Sequence, residues 1–154
     1  MANNKINILY VDDELNNLMS FKAVFRTKYN VLTAISGEDA KKILQSNEIN
    51  IIITDQRMPK MTGVEFLESI LGDYPDPIRI LLTGYADMNA VVDAINKGKI
   101  FHYLTKPWNE EELDEAIKRA YEVYKSKLEE KETNFKLSVS NEQLEFLLRQ
   151  KLLS

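Results

Sequence analysis

The chain has 154 residues, of which 44% are hydrophobic and 29% are charged, a size and composition that suit one globular domain with a short appendage. Its formal net charge of −4 argues against direct binding to nucleic acid, and its lack of cysteine excludes disulfides, thiolate metal sites and a cysteine nucleophile. The sequence has neither a signal-peptide pattern nor an apolar run of about 18 residues that could cross a membrane, so we expect a cytoplasmic protein.

Five short runs of almost continuously apolar residues predict β-strands that are buried on both faces. The runs cover residues 6–11, 30–34, 49–54, 78–82 and 100–104. A segment with the helical spacing of apolar residues follows each run; in the first, the apolar positions are Leu15, Leu18, Met19 and Phe25. This alternation predicts right-handed crossovers and a five-stranded parallel sheet of the flavodoxin-like α/β class, with strand order 2-1-3-4-5.

Residues with capping chemistry mark the starts of the later helices. Ser36 precedes the second helix, and Thr62 with Glu65 forms a capping-box pattern ahead of the third. Asp87 and Asn109 are expected to cap the fourth and fifth helices, because aspartate and asparagine oxygens accept hydrogen bonds from free backbone N–H groups. Each predicted helix therefore begins a few residues after the end of a strand.

The predicted strands one, three, four and five bring polar side chains to one edge of the sheet. Asp12 and Asp13 end strand one, Asp55 ends strand three, Thr83 ends strand four and Lys106 follows strand five. Strands one and three are neighbours in the predicted order, about 4.8 Å apart, so three carboxylates are crowded together. Two carboxylates at about 4 Å repel by on the order of 4 kcal/mol at an effective dielectric of 20, so this cluster requires a compensating cation.

The residue types at this edge suit phosphoryl transfer. Oxygen ligands without sulfur or histidine suit Mg²⁺, while Lys106 supplies an ammonium group and Thr83 a hydroxyl donor. Asp55 lies in a strand–loop–helix turn with Pro59 and Gly63, where an aspartate considered alone is as consistent with turn capping as with reactivity. Because phosphoryl transfer consists mostly of positioning and charge neutralisation, the whole set favours transfer onto Asp55.

In combination these motifs resemble the receiver domains of bacterial two-component response regulators, over about residues 4–122. They are Asp12-Asp13, Asp55 with Met58-Pro59 and Gly63 behind it, Thr83-Gly84, and Tyr103 ahead of Lys106-Pro107. The resemblance implies that Asp55 accepts a phosphoryl group from a sensor histidine kinase or a phosphotransfer protein. It further implies a signalling module rather than a conventional enzyme, and a cis Lys106-Pro107 peptide bond.

By the same resemblance, Mg²⁺ is the cofactor. Asp12, Asp13, Asp55 and the backbone carbonyl of Arg57 are its expected protein ligands, with one aspartate acting through water. Lys106 is expected to contact the phosphoryl oxygens. These roles are implied by the family, whereas the residues alone indicate only an oxygen-rich cation site beside a lysine.

The resemblance also implies a switch. Thr83 turns to the new phosphate, and Tyr103 follows from an outward to an inward rotamer, which changes the face made by helix four, strand five and helix five. Arg57 and Tyr85 occupy two positions that tune dephosphorylation in this family. Because both side chains are large, we hypothesise that they shield the acyl phosphate from water; the alternative is that they only line the rim.

Three other readings stay open at this point. An aspartyl-phosphate phosphatase on a similar sheet would need a second aspartate two residues after the nucleophile, where this chain has Arg57. A pseudo-receiver would act only as a binding scaffold, and the complete set of Asp55, Thr83 and Lys106 argues against it. His102, the one histidine of the chain, could serve a phosphorelay, but its place within a predicted strand favours a structural role.

The C-terminal part is expected to differ from the receiver. We divide the chain into a receiver over 1–124 and a helical extension over 125–154, with a break near Ser138–Asn141 that gives two helical segments. Leucines at helical spacing make an apolar stripe on the last segment, at Leu144, Leu147, Leu148 and Leu152. Such a stripe usually marks an interface, so the expected partner is a second copy of the chain; the alternative is a solvated linker.

Overall fold

The structure, a computed structural model, describes residues 5–153, with the side chains of Tyr85, Leu152 and Leu153 left aside. Five strands alternate with five helices, and a short 3₁₀ turn over Tyr85–Asp87 precedes the fourth helix. The elements in chain order are β1 (Asn7–Val11), α1 (Leu15–Phe25), β2 (Asn30–Ala34), α2 (Gly37–Ser46), β3 (Ile51–Asp55), α3 (Gly63–Ile70), β4 (Ile78–Thr83), α4 (Met88–Asn96), β5 (His102–Thr105) and α5 (Glu110–Leu153).

The strands form one parallel sheet in the order β2-β1-β3-β4-β5, which confirms the predicted flavodoxin-like topology. The order reverses between β1 and β3, so these two strands lie side by side in the middle of the sheet, with Val11 opposite Thr54. At the carboxyl ends of β4 and β5, Thr83 is paired with Thr105. The carboxyl ends of β1, β3, β4 and β5 therefore meet at one edge, and ligands of such folds bind beside the reversal of strand order.

Two apolar cores cover the two faces of the sheet. The alternation of β1 shows the division, because Ile8 and Tyr10 enter the core beneath α1 and α5, whereas Leu9 and Val11 enter the core beneath α2, α3 and α4. All four side chains are at most 1% exposed. The nearly continuous apolar character of the strands, from which they were predicted, thus follows from burial on both faces.

The predicted helix caps are confirmed at three of four positions. Ser36 accepts a hydrogen bond from the Asp39 N–H, and Thr62 and Glu65 form a complete capping box. The Asn109 side chain accepts from the backbone N–H groups that open α5. The prediction for Asp87 is wrong, because its side chain makes no cap hydrogen bond and instead accepts one from an arginine of the β3–α3 loop.

One helix face differs from expectation. Leu15 and Met19, placed on the apolar positions of the first helix, are more than 60% exposed, whereas Leu18, Phe21 and Phe25 are buried. Periodicity gives the spacing of apolar residues along a helix but does not decide which face the sheet covers, and Leu15 and Met19, four residues apart, lie on a face of α1 that the core does not reach.

The C-terminal part is one helix rather than the two predicted segments. α5 runs without interruption for 44 residues, about 66 Å at 1.5 Å per residue. Ser138 and Asn141 do not break it, because neither serine nor asparagine costs more than about 0.7 kcal/mol in a helix interior and the segment has no proline or glycine. The heptad-like spacing at its start is explained by the receiver core, which buries Leu113, Ile117, Ala120 and Tyr124.

Beyond the sheet, the surface of α5 is polar with large exposed apolar side chains. Phe135, Leu144, Phe146, Leu147 and Leu148 are each more than half exposed. A side-chain ion pair between Lys131 and Asp76 ties the middle of the helix to the α3–β4 connection. Within residues 5–153, no helix has the length and apolar character that a membrane span requires.

Candidate functional site

The three predicted aspartates lie together at the carboxyl edge of the sheet. Asp12, Asp13 and Asp55 each offer one carboxylate oxygen, and these oxygens lie within 4.8 Å of one another. Asp12 and Asp55 are buried, whereas Asp13 is exposed. Three carboxylates at this separation repel strongly, so the cluster is suited to a divalent cation.

Lys106 supplies an ammonium group to this cluster. Its Nζ lies 2.7 Å from Asp55 Oδ1 and 4.0 Å from Asp12 Oδ2. Burial raises the pKa of the Asp55 carboxyl, the Lys106 ammonium lowers it and the Asp12 carboxylate raises it again, with a net shift upward. The lysine therefore offsets part of the cost of burying an ionised Asp55. The adjacent Lys106-Pro107 peptide bond is cis, as expected.

Thr83 ends β4 beside these groups but is fully buried. Its hydroxyl donates a hydrogen bond to the Gly84 carbonyl at 3.2 Å, and its own carbonyl accepts from the Lys106 N–H at 2.9 Å. The hydroxyl is thus engaged with the backbone of its own loop. A group bound on Asp55 could recruit it only if the hydroxyl left the Gly84 carbonyl.

Asp12 is contacted by two residues that the sequence did not indicate. The Tyr10 hydroxyl donates to Asp12 Oδ2 at 2.9 Å, and the Asn17 amide donates to the same oxygen at 3.1 Å. The Glu14 N–H donates to the other oxygen, Oδ1, at 3.0 Å. A signal for Tyr10 was present, because residues two apart on a strand point to the same face. For Asn17 the sequence held none.

The loop behind Asp55 is held close to the sheet by Gly63 and Gln56. A Cβ added at Gly63 would lie 2.4 Å from the Asp55 carbonyl oxygen and 2.7 Å from Leu81 Cδ1, so no other residue fits without displacement. The Gln56 carbonyl accepts from the Gly63 N–H, and its buried side-chain amide accepts from the Val64 N–H. Gln56 thus fixes the start of α3 to the end of β3, a role that the sequence did not indicate.

Comparison with known proteins assigns the family. The model of the response regulator receiver domain matches residues 8–118, more than half of the chain. The chain belongs to this family. It is the receiver domain of a two-component response regulator, and receiver domains bind Mg²⁺ at an acidic pocket of the kind that the three aspartates form here. Relatives of this kind act with histidine kinases.

The relatives extend well beyond the receiver. The chain is 36% identical over 118 residues to the hydrogenase transcriptional regulatory protein HoxA of Bradyrhizobium diazoefficiens, covering 77% of this chain and 24% of HoxA. It is 31% identical to the transcriptional regulatory protein ZraR of Salmonella typhimurium, covering 78% of this chain and 27% of ZraR. The chain thus spans about a quarter of the length of these curated relatives.

A solved structure supports the fold of the receiver directly. The signal receiver domain of an HD domain-containing protein from Pseudomonas fluorescens Pf-5 is 34% identical and superimposes with a TM-score of 0.75. The match covers 80% of this chain and 99% of that one. The family model ends at residue 118, so most of α5 lies beyond it.

Arg57 and Asp87 form an ion pair across the mouth of the receiver site, with Arg57 Nε 3.0 Å from Asp87 Oδ2. The Arg57 side chain is 74% exposed, so in this arrangement it reaches toward the α4 turn. The Tyr85 side chain lies outside the described residues. The shielding role of Arg57 and Tyr85 stays a prediction, which the dephosphorylation rate of a chain with Arg57→Ala and Tyr85→Ala would test.

The remaining candidates lie along β5 and after it. Tyr103 is half-buried and packs against the core beneath α4, and His102 is a half-buried strand residue whose pKa is lowered by burial and by Arg119. Trp108 packs against Phe21 and Phe25 of α1, with ring centroids about 6 Å apart. Trp108 therefore serves the packing of the receiver core.

Proposed function

We propose that this receiver accepts a phosphoryl group on Asp55 from a phosphohistidine of a sensor kinase or phosphotransfer protein. The observation that supports this most directly is the 2.7 Å contact between Lys106 Nζ and a carboxylate oxygen of Asp55, beside two further aspartates. In the proposed step an Asp55 oxygen attacks phosphorus, the phosphorus–nitrogen bond breaks, and its electron pair stays on the imidazole. The transfer requires no turnover of a substrate by the chain and no direct contact with nucleic acid.

The donor set fits a hard divalent cation. Asp13 is exposed, Asp55 is buried, and their oxygens lie within 4.8 Å of each other, so both can offer oxygens to one ion. The Arg57 carbonyl is the proposed backbone ligand, and Asp12, whose oxygens already accept hydrogen bonds, is suited to act through water. When bound, Mg²⁺ would neutralise phosphoryl charge and align the incoming group with Asp55.

Within the chain, Lys106 has the clearest part in this proposal. Its ammonium group lowers the pKa of Asp55 against the upward effect of burial and so favours the ionised oxygen that is needed for attack on phosphorus. The same group would then contact the transferred phosphoryl oxygens. Because the site is largely buried, this fixed charge stabilises developing negative charge more than it would in water.

We propose that the phosphoryl group then moves Thr83 and Tyr103. A charge-assisted hydrogen bond is worth about 1.5–3 kcal/mol, whereas a shift of population from 1:99 to 99:1 requires about 5.5 kcal/mol. The Thr83 hydroxyl must also leave the Gly84 carbonyl. Thr83 alone is therefore insufficient, and contacts from Lys106 and the cation have to contribute before the face of α4, β5 and α5 changes.

The proposal is tested by intact-mass spectrometry after incubation with Mg²⁺ and acetyl phosphate. We expect a +80 Da adduct that is acid-stable and base-labile, that is absent in EDTA, and that is lost in Asp55→Asn. The matched control is Asp73→Asn, which changes an exposed aspartate in the α3–β4 connection and should be phosphorylated like the parent. An adduct that survives in Asp55→Asn contradicts the proposal. Turnover of a phosphate ester would favour a phosphatase. If neither the adduct nor turnover is seen, a binding scaffold is favoured.

We further propose that the exposed apolar side chains of α5 associate with a second copy of the chain. Leu144, Leu147 and Leu148 are each more than half exposed within about one helical turn, beyond the reach of the receiver core. Light scattering should therefore show a dimer at tens of micromolar, with and without beryllofluoride, that Leu144→Glu combined with Leu148→Glu dissociates. Glu145→Gln is the control from the same turn. A monomeric parent chain would refute this role.

A further inference from the structure

Tyr10 lies beneath the aspartate cluster with its hydroxyl directed at it. Tyr10 on β1 and Asp12 directly after the strand point to the same face of the sheet, and the Tyr10 hydroxyl donates to Asp12 Oδ2 at 2.9 Å. The ring is 1% exposed and stacks on Phe21, with centroids 4.2 Å apart and planes 6° from parallel. The stacked and buried ring fixes the position of the hydroxyl oxygen beside Asp12.

Asp12 Oδ2 receives a second donor from α1. The Asn17 amide donates to it at 3.1 Å, from a half-buried position on the first turns of the helix. The Lys106 ammonium lies 4.0 Å from the same oxygen, beyond hydrogen-bond distance. Neutral donors, rather than the lysine, therefore fix the orientation of the Asp12 carboxylate: the Tyr10 and Asn17 side chains on Oδ2 and the Glu14 N–H on Oδ1.

We propose that Tyr10 and Asn17 are positioning residues of the metal site. Their hydrogen bonds hold the Asp12 carboxylate in one orientation beside Asp13 and Asp55, although repulsion among the three carboxylates favours rotation away. The inference rests on the proposed function, because it assigns these residues to the same cation site. Outer donors that orient metal-ligating or water-ligating carboxylates typically change metal affinity by about 10- to 100-fold when removed.

A purely structural role for the Tyr10 hydroxyl is the alternative. A buried hydroxyl requires a partner, and a phenylalanine would fill the same core and stack equally on Phe21. The chain contains a matched case, because the buried Tyr29 hydroxyl donates to Asp114, a buried aspartate that pairs with Lys28 and Lys118. The two tyrosines share burial and a carboxylate acceptor, and they differ in that only Tyr10 contacts the aspartate cluster.

Isothermal titration of Mg²⁺ into the unphosphorylated chain separates these roles. We expect Tyr10→Phe to bind Mg²⁺ about tenfold more weakly than the parent chain and Asn17→Ala to bind it more weakly by a smaller factor. Tyr29→Phe should bind like the parent. Equal affinity in the parent chain and Tyr10→Phe overturns the proposal, as does an equal loss in Tyr10→Phe and Tyr29→Phe, which would indicate general destabilisation.

Circular dichroism at the titration temperature identifies any variant that fails to fold. If Tyr10→Phe is unfolded, Asn17→Ala decides, because Asn17 donates to the same oxygen from a half-buried position, and unchanged affinity there overturns the inference. A parent chain that binds no Mg²⁺ and forms no +80 Da adduct would instead contradict the proposed function. If the parent chain binds Mg²⁺ and forms the adduct, and the variants bind Mg²⁺ with the same affinity, only the positioning role is contradicted.

Discussion

Replacing Gly63 by alanine is expected to destabilise the receiver by about 3 kcal/mol, near the upper end for added atoms in a packed site. The added Cβ would lie 2.4 Å from the Asp55 carbonyl oxygen and 2.7 Å from Leu81 Cδ1. The first of these atoms is strand backbone, which cannot move without breaking the pairing of β3 with β4. Urea denaturation followed by circular dichroism measures the change in the free energy of unfolding.

Gly72→Ala is the matched control for this prediction. A Cβ at Gly72 meets nothing within 4 Å, and the residue is exposed after α3, so we expect a change of no more than about 0.5 kcal/mol. If the free energy of unfolding of Gly63→Ala is within about 0.5 kcal/mol of that of Gly72→Ala, the start of α3 does not approach Asp55 as closely as described. In that case the geometry of the whole acceptor loop would have to be revised.

Replacing Lys106 by methionine is expected to slow phosphorylation by acetyl phosphate about 100-fold, the lower range for loss of one group that stabilises transition-state charge. Methionine keeps the unbranched shape of the lysine side chain but removes the ammonium that lies 2.7 Å from Asp55. Initial rates of +80 Da adduct formation measure the effect. Lys97→Met is the control, because Lys97 follows α4 and pairs with Asp93 one turn earlier on the surface, so its replacement should leave the rate unchanged.

Lys106→Met is also expected to change the pH dependence of the phosphorylation rate. Only ionised Asp55 can attack phosphorus, so the rate falls as pH drops through the pKa of Asp55. Burial raises that pKa, and Lys106 is the first opposing influence. Removing the ammonium leaves only the weaker effect of the Gln56 backbone N–H to lower the pKa against burial and Asp12, so in Lys106→Met the decline should begin at a higher pH than in the parent chain. An unchanged rate and pH profile would mean that Lys106 does not act on Asp55.

The sheet and the clustering of Asp12, Asp13, Asp55, Thr83 and Lys106 could be predicted from sequence. Each of these residues follows an apolar strand, and parallel strands bring their carboxyl ends to one edge. Local patterns were sufficient because strand order follows from the alternation of strands and short helices. The convergence of residues more than 90 positions apart in the chain required no knowledge of side-chain contacts.

The features that were missed depend on partners distant in sequence. Asp87 has the chemistry of a cap, yet its carboxylate accepts a hydrogen bond from Arg57, 30 residues earlier in the chain. Asn17 reaches Asp12 because of the way in which α1 lies on the sheet, which periodicity does not give. The continuity of α5 through Ser138 was missed for another reason: capping residues favour a helix start but do not impose one.

The location of the phosphoryl group tests the account most directly. The chain is incubated with Mg²⁺ and acetyl phosphate, digested under acidic conditions, and mapped by tandem mass spectrometry. We expect +80 Da on the peptide that contains Asp55, and on no other peptide, with the signal abolished by EDTA. Modification of Asp13 or His102 instead of Asp55, or modification of Asp55 that is independent of Mg²⁺, would contradict it.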